Sequence, residues 1–190
     1  RPGLGLGAGE YSDVVRQRCV WPGGLGSLAT TVARFASDGS YDHMGTGAWG
    51  LVTVRPNGGV ELFSGRVNAG CGTNSPYRSE AYGLYAGLRH AYETEIIGDI
   101  DHTLDNEAVV RVYQDCETRG AALVSSPDVW DEIIWYKSQL GHRYRVRWSR
   151  GHAERRGGIE SLDDRMNHLA DGLADAGYGH ALDARHLFRH

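Results

Sequence analysis

A chain of 190 residues with 41% hydrophobic content is sized for one globular domain with a substantial core and little left over for a second. No run approaches the roughly 20 apolar residues that span a bilayer, and no basic start leads into an apolar stretch and cleavage site, so the sequence reads as soluble, intracellular and not membrane-bound. The net charge of −4 speaks at first against a polyanionic partner, while Cys19, Cys71 and Cys116 are too widely spaced for a zinc site and too odd in number for a disulfide framework.

Residues 1–28 are rich in glycine, with Gly3, Gly5, Gly7 and Gly9 in alternation and no sustained hydrophobic period, the composition of an arm or tether. Thr31 to Ala36 has the β-branched, alternating character of a strand that ends at Asp38-Gly39. Two further strands, Gly47–Val54 and Val60–Val67, flank Arg55-Pro56-Asn57-Gly58-Gly59, whose Asn-Gly supplies the positive φ angles of a tight hairpin. From Ser79 the period becomes helical, with Ala81, Leu84, Tyr85, Leu88 and Ala91 on one face. A strand over Ile100–Leu104 gives way at Asp105 to a helix over Asn106–Arg119.

Ser126-Pro127-Asp128 reads as an N-cap, a first-position proline and an early acid, opening a helix that runs to Leu140. Arg143-Tyr144-Arg145-Val146-Arg147-Trp148 alternates arginine with apolar residues, the pattern of a last strand with one charged face. Met166, Leu169, Ala170, Leu173 and Ala174 then form an amphipathic helix. The order β-β-β-α-β-α-α-β-α predicts an α/β layered fold, with residues 29–177 as the domain and 178–190 as a C-terminal tail.

Four acids fall at element ends or on one helical face: Asp38, Glu80, Asp105 and Asp171. Side chains at strand ends of an open α/β sheet project into the crevice where ligands bind. Acids crowded there repel one another unless cations sit among them, and hard oxygen ligands suit Mg²⁺ or Mn²⁺. Any single acid among the 24 Asp and Glu residues is more simply a solvated surface group.

The surrounding residues change that weighting. Phe35-Ala36-Ser37-Asp38-Gly39-Ser40, Thr73-Asn74 with Arg78-Ser79-Glu80-Ala81, Thr103-Leu104-Asp105-Asn106, Trp148-Ser149-Arg150-Gly151-His152-Ala153 and Asn167-His168-Leu169-Ala170-Asp171-Gly172-Leu173-Ala174 occur in this order. Together they resemble the motifs of the type 1 ribonuclease H family, including forms fused to reverse transcriptases, across about residues 31 to 176.

The resemblance implies a ribonuclease-H-like fold, a five-stranded mixed sheet flanked by helices. It implies an endonuclease that hydrolyses the RNA strand of RNA/DNA hybrids by two-metal catalysis, leaving 3′-hydroxyl and 5′-phosphate ends. Asp38, Glu80, Asp105 and Asp171 would hold two Mg²⁺ ions, with Mn²⁺ as substitute and Asp38 bridging. His152 would assist proton transfer or product release. Gly39, Ser40, Asn74 and Asn106 would contact the hybrid, whose 2′-hydroxyls distinguish RNA from DNA. The four ligands alone account for the net charge of −4, and Arg143, Arg145, Arg147, Arg150, Arg155 and Arg156 would lie along the phosphates.

Two departures stand out. Ser75-Pro76-Tyr77 separates Asn74 from Arg78, and no lysine-rich helix follows Asp105, so hybrid affinity would depend on another module. Asp175 is the rival to Asp171. Trp49, Trp130, Trp135 and Trp148 sit where core packing is favoured over base stacking. The competing readings are an inert scaffold of the same fold, which has little need of four acids, and a transposase or integrase core, against which the Asn167–Ala174 pattern speaks. The setting is either a host enzyme or a retroelement domain beside a reverse transcriptase in the same polypeptide, and the glycine-rich arm tilts toward the second.

Overall fold

The computed structural model describes residues 15–19, 32–67, 74–116, 125–152, 155, 157–158 and 161–176. Its elements are β1 (Val15–Cys19), β2 (Ala33–Tyr41), β3 (Gly47–Val54), β4 (Val60–Arg66), α1 (Pro76–Glu93), β5 (Ile100–Leu104), α2 (Glu107–Asp115), α3 (Pro127–Leu140), β6 (Tyr144–Trp148) and α4 (Leu162–Ala176). The sheet order is β1-β4-β3-β2-β5-β6. β2, β3 and β4 form an antiparallel meander, while β5 and β6 join β2 in parallel.

The five-stranded mixed sheet expected from the sequence is therefore present as β4-β3-β2-β5-β6, and β1 adds a sixth strand, antiparallel to β4. β1 falls within the stretch read as an arm. Its five residues carry too short a pattern to stand out among glycines, and its partner is an edge distant in sequence. The rest of 1–28 and the tail over 178–190 lie outside the described residues.

Period-2 alternation divides the sheet's side chains between two cores. Phe35, Leu51 and Phe63 join Leu84 and Leu88 of α1, Val109 of α2 and Trp130 and Ile133 of α3. Their neighbours Ala36, Val52 and Leu62 join Met166, Leu169 and Leu173 of α4. β3 is buried at every position because α1 covers one face and α4 the other, which explains its uncharged sequence.

Local structure differs from expectation at several points. α1 begins at Pro76, not Ser79, because the Ser75 hydroxyl caps it by accepting from Arg78 N at 3.0 Å with proline in the first turn. Ser126, read as the analogous cap of α3, adopts a left-handed conformation and makes no side-chain cap bond. In the β3–β4 hairpin only Gly58 has positive φ, following a turn closed by Gly58 N to Arg55 O at 2.9 Å. β2 continues past Asp38-Gly39 to Tyr41, held by β3. α2 stops at Asp115, where Cys116 turns extended, short of the expected end at Arg119.

Candidate metal centre

The parallel pairing of β2 with β5 ends at Ala36 and Thr103, whereas the antiparallel pairing of β2 with β3 runs on to Tyr41. Asp38 thus stands two residues beyond the last β2–β5 pair, and Asp105 directly follows the end of β5. Both carboxylates open into the crevice where the parallel strands part.

Close backbone approaches deliver the other two acids. A Cβ on Gly39 would lie 2.3 Å from Glu80 N and 2.4 Å from Ser79 C, so the missing side chain lets the first turns of α1 settle beside Asp38. Gly50 is the register partner of Asp38, and a Cβ there would lie 2.3 Å from Ala170 O. α4 therefore rests on the strand directly beside Asp38, at the residue preceding Asp171. Beneath the acids, the buried imidazole of His102 links Ser37 Oγ at 2.7 Å to Tyr144 OH at 2.6 Å, tying β2 to β5 and β6. Burial lowers the His102 pKa to about 3 and keeps the ring neutral.

Asp38, Glu80 and Asp105 each offer a carboxylate oxygen, and these oxygens all lie within 4.8 Å of one another. Asp171 lies outside that set but near enough for its charge to act on all three. Burial, then the charge and hydrogen bond of Glu80, push Asp38 well above the ordinary carboxylate range. Glu80 is pushed up chiefly by burial, against the opposing Asp38 hydrogen bond. Burial also raises Asp105, with the charge of His152 opposing and that of Asp171 adding. Glu80 Oε2 is buried with no hydrogen-bond partner among the described residues. An orphaned carboxylate oxygen within a crowded acid set fits a divalent cation with hard oxygen ligands.

The remaining sites expected from sequence divide. His152 is half-buried with φ of 57°, a left-handed conformation uncommon outside glycine, and its neighbour Gly151 lies against the Asp105 carboxylate. Asp175, the rival ligand, is exposed and accepts from Ser40 Oγ at 3.0 Å. Asn106 caps α2 through Oδ1, accepting from Val109 N at 3.1 Å. Asn74 reaches Val67 O with its amide at 3.5 Å, and its buried Oδ1 has no partner among the described residues.

The arginines at β6 are engaged within the fold through ion pairs and carbonyl contacts. Arg145 pairs with Asp99 at 2.7 Å, and Arg147 pairs with Asp101 at 3.0 Å and Asp163 at 2.7 Å. Arg143 donates to Ile96 O and Gly98 O. Parallel alignment of β5 with β6 brings Asp99 and Asp101 within diagonal reach of Arg145 and Arg147, a pairing that cannot be seen in the alternation of one strand. Arg150 and Arg155 are exposed near His152, and Arg156 lies outside the described residues.

Trp49 and Trp130 are buried, and Trp135 is half-buried against Tyr92 and Tyr136, as core packing predicts. Trp148 departs from that expectation, being 47% exposed. The sequence reasoning also missed the packing work of Gly50 and Gly151. Gly151 had a local signal, the glycine beside His152, whereas Gly50 had none.

Solved structures of similar shape include the RNase H1 of the halophilic archaeon Halobacterium salinarum NRC-1, at 19% identity and a TM-score of 0.54, covering 78% of this chain and 98% of that one. LC11-RNase H1 in complex with RNA/DNA hybrid matches at 14% identity and 0.54, covering 75% and 94%. A foamy viral protease-reverse transcriptase in complex with dsDNA matches at 16% and 0.58, covering 81% and 98%. The chain has the ribonuclease H fold. No protein-family model and no curated protein sequence matches it. Within the ribonuclease H fold, Asp38, Glu80 and Asp105 converge although they come from a strand, a helix start and a strand end far apart in sequence. Among the described residues, no helix is long and apolar enough to cross a membrane.

Proposed function

We propose that the chain is a ribonuclease H, an endonuclease hydrolysing the RNA strand of RNA/DNA hybrids to 3′-hydroxyl and 5′-phosphate ends. The observation that carries this reading is the convergence of Asp38, Glu80 and Asp105 on one buried point within a ribonuclease H fold. An inert scaffold would gain nothing from burying mutually repelling acids, a destabilising arrangement without a cation.

Asp38, Glu80, Asp105 and Asp171 would hold two Mg²⁺ ions, or Mn²⁺ in their place. Bound there, such ions supply an activated water and stabilise the departing oxygen. Asp38 and Glu80 form the buried side of the site, and Asp171 adds its charge from α4. His152, next to the Gly151 that lies against Asp105, would assist proton transfer or product release. Gly39, Ser40, Asn74 and Asn106 would contact the hybrid, with the 2′-hydroxyls identifying the RNA strand. With Arg145 and Arg147 engaged in ion pairs, hybrid affinity would draw on another module; a retroelement polypeptide and a free-standing host enzyme both fit, since a foamy viral protease-reverse transcriptase and RNase H1 structures share this shape.

The deciding experiment incubates the chain with labelled RNA/DNA hybrid, RNA duplex and DNA duplex, each with Mg²⁺, Mn²⁺ or chelator. Cleavage of the hybrid's RNA strand alone, abolished by chelator, is the expected result. Cleavage of DNA duplex, or of hybrid in chelator, would overturn it.

A further inference from the structure

Trp148 ends β6 and is the register partner of Leu104, the residue before Asp105. Its indole Nε1–H donates to Asp105 O at 3.1 Å. The ring's polar edge is therefore spent on the backbone of a carboxylate that forms part of the acid cluster. What the ring offers to solvent is its apolar, π-bearing surface, and 47% of the residue is exposed.

That exposure forgoes the burial that Trp49 and Trp130 obtain in the same fold. The surface is also oriented: one hydrogen bond and the parallel pairing of β5 with β6 fix the ring relative to Asp105. A flat ring held in place beside a phosphate-cleaving centre matches the π-face that every nucleobase presents, whatever the sequence. Exposed Arg150 lies two residues further on, on the way to His152.

We propose that Trp148 is a stacking platform for a nucleotide next to the cleaved phosphate, a substrate contact that supplies part of the affinity the β6 arginines do not. The proposal rests on the nucleic-acid reading of the acid cluster and adds a named contact to it.

The test compares Trp148→Ala and Trp148→Phe with the wild-type chain in steady-state cleavage of RNA/DNA hybrid with Mg²⁺, with thermal midpoints as a folding check. Stacking predicts a KM about tenfold higher in Trp148→Ala, within the range that base–aromatic stacking spans, and a KM near wild type in Trp148→Phe, which keeps an aromatic face. A role confined to propping Asp105 through the indole N–H predicts the opposite, since both variants lack that donor: kcat would fall alike in both, and stacking would be overturned. An unchanged KM in Trp148→Ala would overturn it as well. If the wild-type chain does not cleave hybrid at all, the parent reading fails and this one with it, whereas wild-type cleavage with an unaffected Ala variant removes stacking alone.

Discussion

Arg78, 1% exposed in the first turn of α1, clasps Asp128 in the first turn of α3 through two parallel hydrogen bonds of 2.7 and 2.8 Å. Burial pushes the Asp128 carboxyl up, but the hydrogen bonds and charge of Arg78 outweigh it and hold it below the ordinary carboxylate range. The pair locks the helix start that carries Glu80 onto its neighbour. Removing one member of a buried pair strands the other, so Asp128→Ala should cost about 3–5 kcal/mol in urea unfolding. Arg78→Met, which leaves behind the better-solvated partner, should cost less. Because the folded value is depressed, the contribution is present above the ordinary carboxylate range and is lost as pH falls through the folded value. Equal costs for the two variants would contradict the asymmetry.

Asp38→Asn should abolish cleavage and raise the thermal midpoint of metal-free protein. The acid cluster titrates with the opposite sign from Asp128. Raised carboxyls bind protons that the unfolded chain has already released, so their stabilisation is full at low pH and declines as pH climbs from 4.5 through about 8, the folded value of Glu80. Calorimetry in chelator across that window should show the decline in the wild-type chain, a shallower one in Asp38→Asn, and its reversal by Mg²⁺. A variant less stable than wild type at pH 8 would count against carboxylate repulsion.

A Cβ on Gly151 would lie 2.1 Å from Asp105 Oδ2, well inside contact distance. Gly151→Ala should therefore displace the Asp105 carboxylate with little effect on the core. A misplacement near 1 Å can cost about a hundredfold in rate, and single-turnover cleavage should fall by that order with an unchanged thermal midpoint. An unaffected rate would place Asp105 outside the reacting centre.

His152→Ala should slow turnover by about a hundredfold without abolishing it, at the low end of what positioned proton transfer contributes. Comparing single- with multiple-turnover rates separates its two possible tasks. A loss confined to multiple turnover assigns His152 to product release, and an equal loss in both assigns it to the chemical step. Unchanged rates in both would remove it from the mechanism.

The sheet was legible wherever pattern and contact coincide. β3, β4 and β5 announce themselves through runs that the sheet buries, and the face of α4 repeats at helical spacing because one side meets Val52 and Leu62. Helix starts were less legible. Ser75-Pro76 and Ser126-Pro127 carry the same local signal, yet only Ser75 uses its hydroxyl as a cap. Of the site, the acids could be read from their neighbours in sequence, and the structure brings three of them together. The engagement of Arg145 and Arg147 could not, because it depends on which strand lies alongside. The exposure of Trp148 was hidden for a similar reason: alternation marks faces, not which end of an edge strand solvent reaches.

Among the described residues β6 is the outermost strand on its side of the sheet, and three successive odd positions at or beside it are arginines. Arg145 and Arg147 bind acids of the β5 region and α4, and Arg143 donates to carbonyls of the loop between α1 and β5. Another strand docking here would have to strip water from those guanidinium groups and disturb their carboxylates. By that argument the row of charge disfavours strand addition at this edge, so the same guanidinium groups that read as a grip on nucleic acid also bound the sheet.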